Sequence, residues 1–176
     1  MKKKQILGYY IVPLLAIILL IFLDQFTKYL AIAHLKDQPA IDIWKNVFCL
    51  QYLENRGAAF GILQNQLVFF LISTIIILFG IVYFYTKMPV QRKFWPIRIC
   101  MILICSGAIG NLIDRVRFNY VVDFLYFELI DFPIFNVADI YVTVSAIALC
   151  VLLLFVYKDD DFDSLFKNKN KGKEDE

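Results

Sequence analysis

Apolar residues run along this chain in four long stretches divided by shorter polar segments. The stretches extend from about Tyr9 to Ala33, Leu67 to Tyr85, Trp95 to Ile113, and Val137 to Tyr157. A helix needs about 20 apolar residues to cross a bilayer, so the pattern predicts four transmembrane helices. Residues 34–66 separate the first two and contain "AIDIWKNVFCLQYLENRGAAFGIL", rich in aromatic and β-branched side chains with a Gly-containing break. That composition predicts short strands and turns. A second polar segment, Asp114 to Asn136, joins the last two helices.

The first stretch has a rival reading as a cleaved signal peptide. "MKKK" precedes it, and Ala31-Ile32-Ala33 has an A-x-A shape. Asp24 and Lys28 break the region just before that point, and the run is longer than a signal-peptide core. Both features favour a helix that stays.

Composition agrees with a membrane protein: 60% of the 176 residues are hydrophobic. The formal net charge of +2 is too small to suggest a nucleic-acid partner. Cys49, Cys100, Cys105 and Cys150 form no CxxC pair, which supports neither a disulfide framework nor a zinc site. They read as small buried hydrophobes. His34 is the only histidine, so a His-based metal cluster has no second member.

Lysine and arginine set the orientation. Lys2, Lys3 and Lys4, the turn with Lys87, Arg92 and Lys93, and the lysines after Tyr157 fall on one side. Lys36, Lys45, Arg56, Arg115 and Arg117 fall on the other. The richer side is expected to be cytoplasmic, with both termini there. Residues 1–157 are expected to form one membrane domain with an extracytoplasmic insert at 34–66. The charged tail, 158–176, reads as disordered.

Ionisable residues beside spanning helices are functional candidates. Here they collect at one level, the outer end: Asp24 and Lys28 on the first helix, Asn111, Asp114 and Arg115 on the third, Asn136 and Asp139 at the start of the fourth, and Asp123 in the loop between. Asp24 and Lys28, spaced i, i+4, also fit an ordinary ion pair. Gly107, Asn111 and Arg115 fit a stripe for close helix approach, and Arg115 could hold a carboxylate. Asn136 and Asp139 fit an N-cap and an N3 acid. None of these structural readings covers Asp123, flanked by Val121, Val122, Phe124 and Leu125. If Asp123 and Asp139 face one another, burial and like-charge repulsion leave one protonated and one ionised. That state suits aspartic-peptidase chemistry, in which the ionised partner activates water and the neutral one polarises the scissile carbonyl.

Five motifs then resemble one family. "DQFTKYL" (Asp24 to Leu30), "ENRGAAFGIL" (Glu54 to Leu63), "GAIGNLIDRV" (Gly107 to Val116), "VVDF" (Val121 to Phe124) and "FPIFNVAD" (Phe132 to Asp139) follow the order of the signal peptidase II family. The resemblance covers nearly the whole chain apart from the tail. It implies a membrane-embedded aspartic endopeptidase of the bacterial cell membrane: four transmembrane helices, a small extracytoplasmic β-cradle and an outward loop or helical segment. The implied substrates are prolipoproteins carrying diacylglycerol on the lipobox cysteine, cut just before that cysteine. Asp123 and Asp139 match the catalytic dyad. Asn55 and Gly57 match a substrate-holding Asn-x-Gly, with Ala58 and Ala59 beside it to let a peptide approach. Asp24, Lys28, Asn111, Arg115 and Asn136 match supporting or binding positions. No cofactor or metal is implied; a monomer in contact with membrane lipid and inhibition by globomycin are. Ile140 departs from the small polar residue expected after the second aspartate.

Rivals from other classes are an ion-coupled transporter, which would want a second polar cluster at the inner end, and a Ser-Lys peptidase using Lys28 with Ser106 or Ser145.

Overall fold

The computed structural model describes residues 7–57, 63–158 and 161. Helix α1 (Val12–Leu35) follows a π-helical turn, Leu7–Ile11. Strands β1 (Ile41–Trp44) and β2 (Phe48–Asn55) come next, then α2 (Leu67–Lys87). A 3₁₀ turn, Arg92–Phe94, leads into α3 (Trp95–Phe118), and β3 (Val121–Tyr126) follows. After another 3₁₀ turn, Glu128–Ile130, α4 (Val137–Val151) runs into a π-helical turn, Leu152–Val156. Among the described residues four helical stretches are long and apolar enough to span a membrane: Leu7–Leu35, Leu67–Lys87, Arg92–Phe118 and Val137–Val156.

Each boundary has a local cause. Proline stands in the first turn of α1 and of α3, where its missing N–H is no loss. Helix α3 runs past the expected end at Ile113, because Asp114 finds partners inside the bundle. It stops at Asn119, whose left-handed backbone (φ 65°) returns its N–H to the Arg115 carbonyl at 3.0 Å. Asn136 and Asp139 form a reciprocal capping box that starts α4.

Helix α3 is the central one. Its middle is half buried, whereas α2 buries no residue fully. Glycine makes the centre possible. A Cβ on Gly107 would collide with the Ala138 carbonyl and come 2.8 Å from Val142, and one on Gly110 would come 2.5 Å from the Asp24 carboxylate. Helices α1 and α4 therefore pack directly on the α3 backbone, as the small-residue stripe at Gly107 predicts.

The three strands form an antiparallel sheet in the order β1-β2-β3. Strands were expected only within 34–66; β3 comes from the second outward segment instead, and pairs Leu53 with Asp123 and Asn55 with Val121. The sheet rests on the end of α1 through Ala31, Leu35, Val122 and Phe124. Two hydrogen bonds between Leu125 and Phe135, of 2.8 and 3.0 Å, tie the entry of α4 to β3. Asp123, Asn136 and Asp139 are brought to one place by this clasp. At the sheet, the exposed carboxylates of Asp42 on β1 and of Glu128, in the turn after β3, flank the buried Cys49 thiol, an acidic patch no spacing foretold.

At the other end of α3, about 20 Å away by helical rise, Met88, Phe94, Ile97 and Tyr157 make a second apolar cluster. Arg98 is buried beside it. It donates to Tyr9 Oη and to the Met88 and Pro89 carbonyls (2.8 and 3.1 Å), and lies over the rings of Tyr9 and Tyr85 (4.0 and 4.7 Å). Aromatic faces take the place of a counter-ion there. The cysteines are free: Cys49, Cys100 and Cys105 are buried as expected, while Cys150 is exposed on α4. The expectations for Ala58, Ala59 and most of the tail lie outside the described residues.

Candidate active site

The site grows from two carboxylates, one buried and one half-buried. Asp123, 1% exposed, sits in the middle of β3 between Val122 and Phe124, both buried. It therefore does not turn out to water. Its Oδ2 accepts from Asn55 Nδ2 at 2.8 Å and its Oδ1 from Asn136 Nδ2 at 2.6 Å. Asp139, one turn into α4, accepts from Asn111 Nδ2 at 2.8 Å and from the Asn136 backbone N–H at 3.1 Å. Asn136 thus caps the helix and also touches Asp123. No hydrogen bond joins the two carboxylates among the described residues; Asn136 and Asn111 bridge them, 3.2 Å apart.

Burial, and after it the Asp139 carboxylate, pushes the Asp123 carboxyl up to about 7, against the lowering effect of Asn55 and Asn136. A carboxylic acid poised there can hold a proton near neutral pH and still release it.

Behind the pair lies a second layer. Lys28 is buried and donates to Asp24 and Asp114, each at 3.0 Å, and to Asn111 Oδ1 at 2.8 Å. Asp24 also accepts the Ala138 N–H at 2.9 Å, and Asp114 the Val122 N–H at 3.1 Å. These two aspartates thereby hold the backbone on either side of the site. Gln25 joins them, donating to Asp114 at 2.9 Å and to the Gly110 carbonyl at 3.2 Å. The i, i+4 pair of Asp24 and Lys28 is real, but it is one edge of a network spanning α1, α3, β3 and α4. Asp114 is one of the ionisable candidates at this level but has no role assigned from the sequence, and Gln25 is not among the expected residues. Asp114 lies one helical turn from Asn111, a spacing that carried the signal; Gln25 carried none.

In front of the pair opens a cavity of about 490 Å³, lined mostly by apolar side chains such as Phe70, Phe132, Ile140 and Val144. Asn55, Gly57, Asn111, Arg115, Asp123 and Asp139 line it as well. Among the described residues Arg115 forms no ion pair with a carboxylate, contrary to one expectation. Its guanidinium lies 4.5 Å from the Phe70 ring and donates to the Gly57 carbonyl at 3.4 Å, so it clasps the loop after β2 to α3. Gly57 also donates its N–H to Asn55 Oδ1 at 2.9 Å. Phe70 on α2 is a cavity residue that no sequence signal marked.

The Ser-Lys alternative fails on geometry. Ser106 and Ser145 are buried and donate to helix carbonyls of Ile102 and of Tyr141 and Val142. Lys28 is committed to three other acceptors.

The family model described as signal peptidase (SPase) II matches residues 16–155. The chain belongs to the signal peptidase II family. Relatives named lipoprotein signal peptidase include one from Caldanaerobacter subterraneus subsp. tengcongensis, 48% identical over 77% of this chain and 90% of its own length. Another, from Clostridioides difficile, is 47% identical over 81% and 94%. A solved structure titled as a bacterial membrane enzyme, determined by the in meso method at 1.9 Å resolution, is 33% identical. It superposes with a TM-score of 0.72 over 85% of this chain and 96% of that one. Signal peptidase II is an aspartic peptidase class, and the motif resemblance and the four-helix architecture both agree with membership.

Proposed function

We propose that this protein removes the signal peptide from lipoprotein precursors that already carry diacylglycerol on the lipobox cysteine, cutting just before that cysteine. The observation that carries the reading is the meeting of two carboxylates, the buried Asp123 and the half-buried Asp139, at the wall of one largely apolar cavity. Asp139 is the base and Asp123 the acid. Asp139 takes a proton from water, whose oxygen attacks the scissile carbonyl carbon. Asp123 gives its proton to the carbonyl oxygen, forming a neutral diol. The diol collapses as its proton returns to Asp123 and the Asp139 proton passes to the departing cysteine amine. One proton remains on the pair, ready for the next turnover.

The rest of the molecule suits such a substrate. A signal peptide is an apolar helix and must arrive sideways from the bilayer, and a bundle with an open cavity at one end admits it. The acyl chains keep the modified cysteine near the membrane surface, the level of the sheet and the carboxylates in a protein with both termini cytoplasmic. Asn55 and Gly57 face that cavity and are the groups to hold an extended backbone there. The enzyme works as a monomer.

The test is purified wild-type protein with one precursor in lipidated and unlipidated form, with and without globomycin, read as a size shift on a gel. The lipidated form is cut and globomycin stops it. Equal turnover of the two forms refutes the substrate assignment.

A further inference from the structure

Three asparagine side chains surround the two aspartates, and an amide has an accepting end and a donating end. Which end meets a carboxylate decides whether the contact favours or opposes its charge. Each of these amides is oriented by a group that can only donate. The Gly57 N–H holds Oδ1 of Asn55 at 2.9 Å and so turns Nδ2 to Asp123. The Asp139 N–H holds Oδ1 of Asn136 at 3.0 Å and turns its Nδ2 to Asp123. For Asn111 the group is the Lys28 ammonium, at 2.8 Å from Oδ1, and Nδ2 then faces Asp139. Asn136 Nδ2 adds a longer contact to the same oxygen, 3.2 Å, but it is already engaged with Asp123 at 2.6 Å.

Two of the three orienting groups are backbone; the third is a side chain with no contact to the cavity. We infer that Lys28 is a positioning residue that acts through Asn111, keeping an N–H rather than a carbonyl on Asp139. The inference rests on Asp139 being the base. Asp24 and Asp114 anchor the ammonium from the other side, each at 3.0 Å. Their buried charges also explain why a lysine can stand there at all. Without the ammonium only the longer 3.2 Å contact from Asn136 remains at its Oδ1, and Asn111 can turn over and present its carbonyl to the carboxylate, which then keeps a proton of its own and is not free to take one from water.

Lys28→Met alone would strand two buried carboxylates. Combined with Asp24→Asn, it removes one charge of each sign and leaves an amide to donate to Asp114. We expect the paired substitution to fold and to lower kcat on lipidated precursor by about a hundredfold, the scale of a misplaced catalytic group, with KM little changed. Asn111→Leu should lose the same factor, and joining it to the pair should lose nothing more, because Lys28 and Asn111 act as one unit. Losses that multiply, or parental kcat in the folded paired variant, overturn the inference. Lys28→Arg, which keeps a donor-only cation against Asn111 and strands nothing, is the second variant. It should lose clearly less kcat than the paired substitution, and folded Lys28→Arg that loses as much as the pair also overturns it. Asp123→Asn, assayed beside these, separates the two readings: activity there defeats the dyad itself, whatever Lys28 does.

Discussion

Asp123 is held at about 7 by its surroundings, far from the 3.8 of a free aspartate. The sign of the consequence is fixed. Between those two pH values the folded protein holds a proton that the unfolded chain releases, so stability falls as pH rises across that window. Above about 7 the penalty is fully present. Asp123→Asn keeps a neutral group at every pH. The melting temperature of the variant should therefore gain on that of the parent from about pH 4 to pH 7 and level off beyond, as thermal scans in detergent would show. A constant difference across that range contradicts the burial of an acid there. Catalysis has a matching limb: turnover of lipidated precursor should decline as pH rises through about 7, where Asp123 gives up its proton. At this scale the sequence spoke partially. Asp123 stood out because four apolar neighbours left a carboxylate without a bland reason. Asp139 had such a reason, its helix cap, and that cap is real. What the sequence could not say is that Asn136 serves both aspartates, because that depends on the angle at which α4 meets β3.

At the scale of elements, the start of α4 combines a cap and a donor in one residue, and substitution separates them. Asn136→Ala loses both, and should cost about 1 kcal/mol of stability as well as activity. Asn136→Ser restores the side-chain acceptor for the Asp139 N–H but has no amide to reach Asp123. Its melting temperature should return close to the parent's while activity stays low. Recovery of both would mean that Asn136 is a cap alone. The α3 glycines make the same kind of claim about contact between helices. A Cβ at position 110 would come 2.5 Å from a carboxylate already fixed by Lys28 and the Ala138 N–H. Gly110→Ala should destabilise by about 1–3 kcal/mol, the usual range for overpacking, measured by thermal or denaturant unfolding in detergent. The helices were legible from hydropathy, since 20-residue apolar runs have few other uses. Strand β3 was not, because "VVDFLY" has strand composition but its partner lies more than 60 positions earlier, at Leu53 and Asn55. The length of α3 was missed for a related reason: Asp114 and Arg115 look like a helix leaving the membrane, and only their partners on α1, β3 and the loop after β2 keep it going.

For the whole molecule, polarity is divided between two ends. One end buries Asp24, Lys28, Asp114, Asp123 and Asn136 around a cavity; the other buries Arg98 among tyrosine rings and carbonyls. Among the described residues the hydrogen-bond partners of Arg98 are a tyrosine hydroxyl and two carbonyls, with no carboxylate. That division was readable as charges gathered at one level. The depth of the Lys28 network behind the aspartates was not, because burial belongs to packing and not to spacing. Between the ends, α2 stays largely exposed, with Phe70 at the cavity and Tyr85 beside Arg98. The most direct measurement is cleavage of one diacylglyceryl-modified precursor by purified parent, Asp123→Asn and Asp139→Asn proteins of matched fold and amount. The parent should convert it to the shorter lipoprotein while both variants leave it whole; full cleavage by either variant would contradict the paired-aspartate mechanism.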